Sequence, residues 1–412
     1  MRKIHPLLAF ALVLTSVSPI FCRNQRPLAE ARVVARRALA RSIVIDTHAD
    51  TPQMMLDEGY DLAENNSPYM ISLPKMRAAH WGAEFFSIWV DVDWPRQDLI
   101  HRALDLIDAV DEQVARHPDS LALAGTADDI ERIHREGRIA VLMGLEGGHI
   151  LQDDPRMLDI FYRLGVRYMT LTHTRNTAWA DSSGDKPQHN GLTDVGRQVV
   201  ERMNRLGMIV DISHVSDKTF YDAIAASKAP LLASHSSCRA LCNAPRDMSD
   251  DMIRTLASHG GVIDINYYNA FLDPAFAAAL QKVSGPMEAA VTAARQKKTA
   301  QGKRLTYAEE TKIRMQFVAS IPAPSFTVIA DHIDHAVEVG GIDHVGLGSD
   351  FDGVDGMVPR GFADCSKLPD LVVELARRGY SEAELEKILG GNVLRLMRQV
   401  ESTAHSMQVE KR

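Results

Sequence analysis

Asp46-Thr47-His48-Ala49-Asp50 stands directly after the apolar run Ile43-Val44-Ile45. Residues i and i+2 of a strand face the same way, so His48 and Asp50 leave the strand end on one side. An imidazole beside a carboxylate offers two ligands to a divalent metal. The same spacing recurs in His117-Pro118-Asp119 and His332-Ile333-Asp334. Neither of those follows a strand-like run, and both read as surface residues.

Chemistry of this kind needs a scaffold that gathers several strand ends. Apolar runs at 43–45, 85–90, 139–145, 166–171, 208–212, 231–233, 262–265 and 345–347 make eight strand-like segments. Runs without polar alternation suit parallel strands buried on both faces. Helical stretches such as 99–114, 195–206 and 219–227 separate them, and Ser381 to Glu384 reads as a capping box opening the last helix. The expected fold is therefore an α/β (β/α)8 barrel. A doubly wound open sheet is the alternative, but it would typically need fewer strands. About 80 residues separate the last two runs. Within them, 275–325 holds helical pieces at 287–298 and 307–319 and reads as an insertion before the last strand, a lid or an oligomer contact.

Barrel sites are built at the C-terminal ends of strands. His48 and Asp50 follow the first run and Glu146 the third. His173, His214, His235 and Asp350 follow the fourth, fifth, sixth and eighth. Each alone has an ordinary reading: a core histidine, an N-cap neighbour, a turn carboxylate. His149, three residues after Glu146, competes for a ligand role. Six coincidences at one end of one barrel point instead to a metal site. Two metals about 3.5–4 Å apart need a bridging carboxylate and a few ligands each. Glu146 is the candidate bridge, with His48 and Asp50 on one ion and His214 and His235 on the other. A water between two cations becomes a nucleophile near neutral pH. Ligation by His and carboxylate without Cys suits two Zn2+, with Mn2+ or Co2+ as substitutes. Asp350 is left to carry the water's proton to a leaving amine or to hold a substrate ammonium.

The remaining features set bounds. The chain has 412 residues, a net charge of −8 and 45% hydrophobic residues, a soluble globular composition with ample core. No basic run interleaved with aromatics appears, which argues against nucleic acid. Arg2 and Lys3 precede an uncharged apolar run to Phe21, so 1–22 reads as an export signal, too short for a comfortable membrane span. Export to the periplasm or beyond is the expectation. Cys22 raises lipidation, against which the bulky Phe21 argues. The segment 23–41 reads as a basic helical leader that can lie on an anionic membrane surface. The main domain is read as 42–402, with a tail at 403–412. Cys238, Cys242 and Cys365 imply no disulfide framework, although Cys238 and Cys242 are close enough in sequence to pair.

Ile45 to Asp50, Gly144-Leu145-Glu146-Gly147-Gly148, Leu171-Thr172-His173, Asn176 to Ser182, Met203 to Ser216, Ser234 to Ser237 and Gly348 to Gly353 resemble the membrane (renal-type) dipeptidases, a family of binuclear zinc peptidases. The resemblance runs from about Ile43 to Glu401. It implies a metal-dependent barrel that cleaves free dipeptides, tolerates a D-residue at the C-terminal position and, in some members, opens β-lactams. It implies His48, Asp50, Glu146, His214 and His235 as zinc ligands, with Glu146 bridging. It further implies His173 polarising the scissile carbonyl, Arg246 clamping the substrate carboxylate and Asp350 as the acid/base. A homodimer is common in the family. Where the family commonly has Asn after that Arg, this chain has Asp247, which would set a negative charge beside the clamp.

Two other readings compete. Related barrel amidohydrolases acting on a lactam, lactone or other small amide often begin with His-x-His and bridge their metals with a carboxylated Lys. This chain has His-x-Asp, and no Lys follows a strand suitably. A non-catalytic binding protein would usually have lost one of the site residues, all of which are present.

Overall fold

Nine parallel strands organise the described residues: β1 (Val44–Ala49), β2 (Trp81–Trp89), β3 (Leu121–Leu123), β4 (Ile139–Glu146), β5 (Val166–Thr170), β6 (Ile209–Asp211), β7 (Leu232–Ser236), β8 (Val262–Ile265) and β9 (Val345–Leu347). The computed structural model describes residues 24–409; the expected signal at 1–22 lies outside them. Eight of the strands close in the order β1-β2-β4-β5-β6-β7-β8-β9, with β2 pairing to β4 and β9 returning to β1. This is the expected (β/α)8 barrel. Every residue of β1 and β4 is buried, as parallel strands covered on both faces require.

β3 had no counterpart among the apolar runs. It is three residues long and its last, Leu123, is exposed. It pairs with the start of β4, Leu121 opposite Ile139, on the edge that β5 occupies further up from Met143.

Helices follow from local signals. Thr193 caps Asp194–Leu206, its side chain accepting from the Gly196 N–H, and Val199, Val200 and Met203 face the core. Such a cap is worth about 1 kcal/mol. Ser381 and Glu384 form the expected capping box, but over the short helix Glu382–Glu386. A wider turn, Lys387–Gly391, then leads into the last helix, Asn392–Val409, where Ala404 and Met407 are still buried. The leader helix Leu28–Arg41 buries Ala31, Ala35, Ala38 and Leu39. It packs on Leu368–Arg377 and Glu382–Glu386, and Arg26 donates to the Ala376 and Tyr380 carbonyls.

Between β8 and β9 run the helices Pro274–Thr299 and Tyr307–Val318, with a small core of their own around Phe276, Met287 and Val318. Ion pairs fix them to the barrel mouth. Arg295 bridges Glu310 to Asp91 beyond β2, and Arg314 reaches Asp355 beyond β9.

One expectation is overturned. His332 is fully buried, not at the surface. Its Nδ1 accepts from the Cys238 N–H at 3.1 Å and its Nε2 lies 3.1 Å from the Leu272 carbonyl. His332 sits on the inner face of Thr327–Gly340, and an inward helix face does not announce itself by a strand-like run. Cys238, Cys242 and Cys365 are free and buried. Among the described residues no helix is long and apolar enough to cross a membrane.

Candidate metal centre

Glu146 closes β4 in the middle of the barrel mouth and is 3% exposed. Its Oε1 lies 3.0 Å from His214 Nε2, 3.4 Å from His235 Nε2 and 3.6 Å from His173 Nε2. Its Oε2 lies 3.3 Å from His48 Nε2 and accepts from Ser87 Oγ at 3.0 Å. One carboxylate is thus ringed by four imidazoles from four different strand ends. Burial alone would raise its pKa; His48, His173, His214 and His235 together hold it well below the usual carboxylate range.

Asp50 Oδ2 is 3.5 Å from His48 Nε2. The backbone places Asp350 and His214 in the left-handed region, at φ 60° and 67°. Such strain persists only where surroundings fix it. Four donors do so at His214, whose carbonyl accepts from the Ser183 N–H and from the Thr172, Ser182 and Ser183 hydroxyls. At Asp350 the N–H donates to the His48 carbonyl, and Asn266 Nδ2 donates to Oδ2 at 2.8 Å. Gly353 passes so close that a Cβ there would sit 2.0 Å from Asp50 Oδ2 and 2.4 Å from Asp350 Oδ1. Burial, with Asp50 and Glu146 adding and His48 opposing, pushes Asp350 well above the ordinary range.

These groups fit a cation. His48 Nε2 and Asp50 Oδ1 are buried and have no hydrogen-bond partner. Three sets bring their ligand atoms within 4.8 Å of one another: His48, Glu146 and His235; Glu146, His173 and His214; His48, Asp50 and Asp350. The five expected ligands therefore converge, although His173 and Asp350 stand close enough to share ligand positions.

His149 does not compete. It turns away, its Nε2 2.9 Å from the Val90 carbonyl. Trp89 Nε1, which can only donate, lies 3.4 Å from His173 Nδ1. That leaves the proton of a neutral His173 on Nε2, the nitrogen facing Glu146. Burial lowers His173 and favours the neutral ring.

Arg246, beyond β7, donates from Nη1 to Ser236 Oγ and from Nη2 to the His235 carbonyl, and its buried Nε has no partner. Phe271, 5.7 Å beneath its guanidinium carbon, lines the site cavity of about 460 Å³. Asp247, next to the clamp, is 1% exposed. Both its oxygens are buried without a hydrogen bond, and burial pushes the carboxyl well above the usual range, with Arg246 and Arg239 opposing only in part.

A profile described as membrane dipeptidase (peptidase family M19) matches residues 32–411. The chain belongs to this family. A dipeptidase of Schizosaccharomyces pombe, itself uncharacterised, is 32% identical over 98% of this chain and 91% of its own. Dipeptidase verJ of Clonostachys rogersoniana is 35% identical over 75% of this chain and 68% of its own. The probable dipeptidase PvdM of Pseudomonas aeruginosa superposes with a TM-score of 0.78 at 28% identity, covering 91% of this chain and 100% of that one. The chain is a metallo-dipeptidase.

Four residues of this dipeptidase site escaped the sequence reading: Ser87 and Trp89 on β2, Tyr168 on β5 and Asn266 after β8. No expected metal ligand follows β2 or β8, yet residues on β2 and just after β8 support Glu146, His173 and Asp350. Their signal was an inward polar group on an otherwise apolar barrel strand, or one residue beyond it.

Proposed function

We propose that this chain hydrolyses free dipeptides at a pair of zinc ions held by His48, Asp50, Glu146, His214 and His235, with Glu146 shared. The observation that carries the reading is the Glu146 carboxylate, with four imidazole nitrogens within 3.6 Å and the unpartnered His48 Nε2 beside it. When bound, the ions supply Lewis acidity and a water nucleophile ionised near neutral pH.

The other residues divide the remaining work. His173 donates from Nε2 to the scissile carbonyl oxygen as negative charge develops there. Asp350, oriented by Asn266, takes the proton of the attacking water and delivers it to the leaving amine. Arg246 receives the substrate's terminal carboxylate in its guanidinium fork. A C-terminal D-residue is compatible with this arrangement, because the clamp reads the carboxylate and not the side chain.

Metal analysis coupled to a dipeptide assay tests the proposal. Two zinc ions per chain and cleavage of Gly-D-Ala or L-Ala-L-Ala, lost on chelation and restored by zinc, are expected. Metal-loaded protein that spares free dipeptides and hydrolyses a lactone or N-acyl amide would overturn it.

A further inference from the structure

A second cavity of about 540 Å³ adjoins the metal site and shares Trp89, Asp91, Asp93, Arg295, Tyr307 and Glu310 with it. Trp89 and Tyr307 meet edge to face, ring centroids 6.1 Å apart. On its barrel side lie Trp94 and Arg102, which follow β2; on the other lie Lys303 and Arg304, from the loop between the helices Pro274–Thr299 and Tyr307–Val318.

Four carboxylates, Asp57, Asp91, Asp93 and Glu310, line it with four cations, Arg102, Arg295, Lys303 and Arg304, and Asp93 pairs outside it with Arg175. Arg102 is neutralised by Asp57, through two hydrogen bonds of 2.7 and 2.8 Å. Arg295 is neutralised by Asp91 and Glu310. Lys303 and Arg304 have no carboxylate partner among the described residues. Arg304 lies over the Trp94 ring, its Cζ 3.0 Å from the centroid, and Arg102 reaches the same ring at 5.0 Å. Burial and the nearby Arg102 lower the Arg304 pKa. Pairing therefore leaves Lys303 and Arg304 over, with Arg304 against the apolar indole of Trp94.

Barrel closure says which part of a substrate would enter. Arg246 follows β7, Trp89 closes β2 and Trp94 follows it. These strands stand four apart around a closed ring of eight, on opposite sides of the mouth, with Glu146 between them. If Arg246 holds the C-terminal carboxylate, as proposed above, the N-terminal residue points toward β2. We propose that this cavity is a subsite for an anionic side chain on the N-terminal residue, so that Glu- and Asp-initiated dipeptides are preferred substrates. The inference rests on the dipeptidase reading and deepens it.

The test compares Glu-Ala, Gln-Ala and Ala-Ala on the zinc-loaded enzyme and on the K303A/R304A variant, both positions being exposed. Wild-type kcat/KM is expected to favour Glu-Ala over Gln-Ala at least tenfold, and in the variant that ratio should fall close to one while the unfolding midpoint stays in place. Cleavage of Ala-Ala and Gln-Ala as fast as Glu-Ala, or a preference that survives the double substitution, would overturn this inference and leave the dipeptidase reading intact. Failure to cleave any of the three by protein carrying its metals would overturn both.

Discussion

The hydroxyl of Tyr168 lies 2.6 Å from His48 Nδ1, and the Tyr168 ring fills the space that a side chain on Gly144 would need. A Cβ at Gly144 would sit 1.9 Å from the phenol carbon, so the glycine is what lets the tyrosine reach under the histidine. A ligand imidazole held at one nitrogen presents the other in a fixed direction. Tyr168→Phe should keep the fold and weaken zinc binding about 10–100-fold, the usual cost of losing such a support. Competition with a chelator of known affinity measures it; unchanged affinity would mean that Tyr168 only packs.

Asp350 has two roles to be separated. Asp350→Asn should lower kcat by about 10²–10⁴-fold, the range for a general acid/base, while two zinc ions per chain remain. Loss of one zinc equivalent would instead make Asp350 a ligand, as its place beside His48 and Asp50 allows.

Legibility in the sequence followed the distance between a residue and its strand. His48, Asp50, Glu146 and His235 lie on or next to buried apolar runs, so the run itself announces where the side chain emerges. His214 and Asp350 also follow strands, but the left-handed backbone that aims them is set by contacts from distant segments. Tyr168, Ser87 and Asn266 act through neighbours 120, 59 and 84 residues away. No local pattern encodes such pairs. β3 is too short for a period, and the burial of His332 depends on what packs over its helix. The barrel was legible because eight apolar runs have few other ways to be covered on both faces.

Arg246→Ala should raise KM for free dipeptides about 10–100-fold, since hydrogen bonds to charged groups contribute about 1.5–3 kcal/mol. It should leave KM for C-terminally amidated dipeptides nearly unchanged. Equal effects on both substrates would remove the clamp.

His332 makes stability depend on pH. Burial lowers its pKa from 6.5 to about 4. Below pH 6.5 the unfolded chain takes up a proton that the folded chain refuses, so its contribution is full above pH 6.5 and is lost as pH falls toward 4. That difference is worth roughly 3 kcal/mol. Asp46, Asp352 and Asp355, each raised by burial to about 6, act in the opposite sense as pH falls from 6. A His332→Gln variant isolates the effect. In urea unfolding of the metal-free proteins, the variant should lose less stability between pH 7 and pH 4 than the parent does. Parallel losses would contradict the buried, neutral histidine.

A two-zinc dipeptidase built around Glu146 is tested most directly by following amino-acid release from Gly-D-Ala, L-Ala-L-Ala, D-Ala-D-Ala and an N-acetylated control, with zinc, after chelation and after zinc is restored. Zinc-dependent cleavage of the free dipeptides, and none of the acetylated control, is expected. Protein carrying two metals per chain that releases no amino acid from any free dipeptide would contradict it.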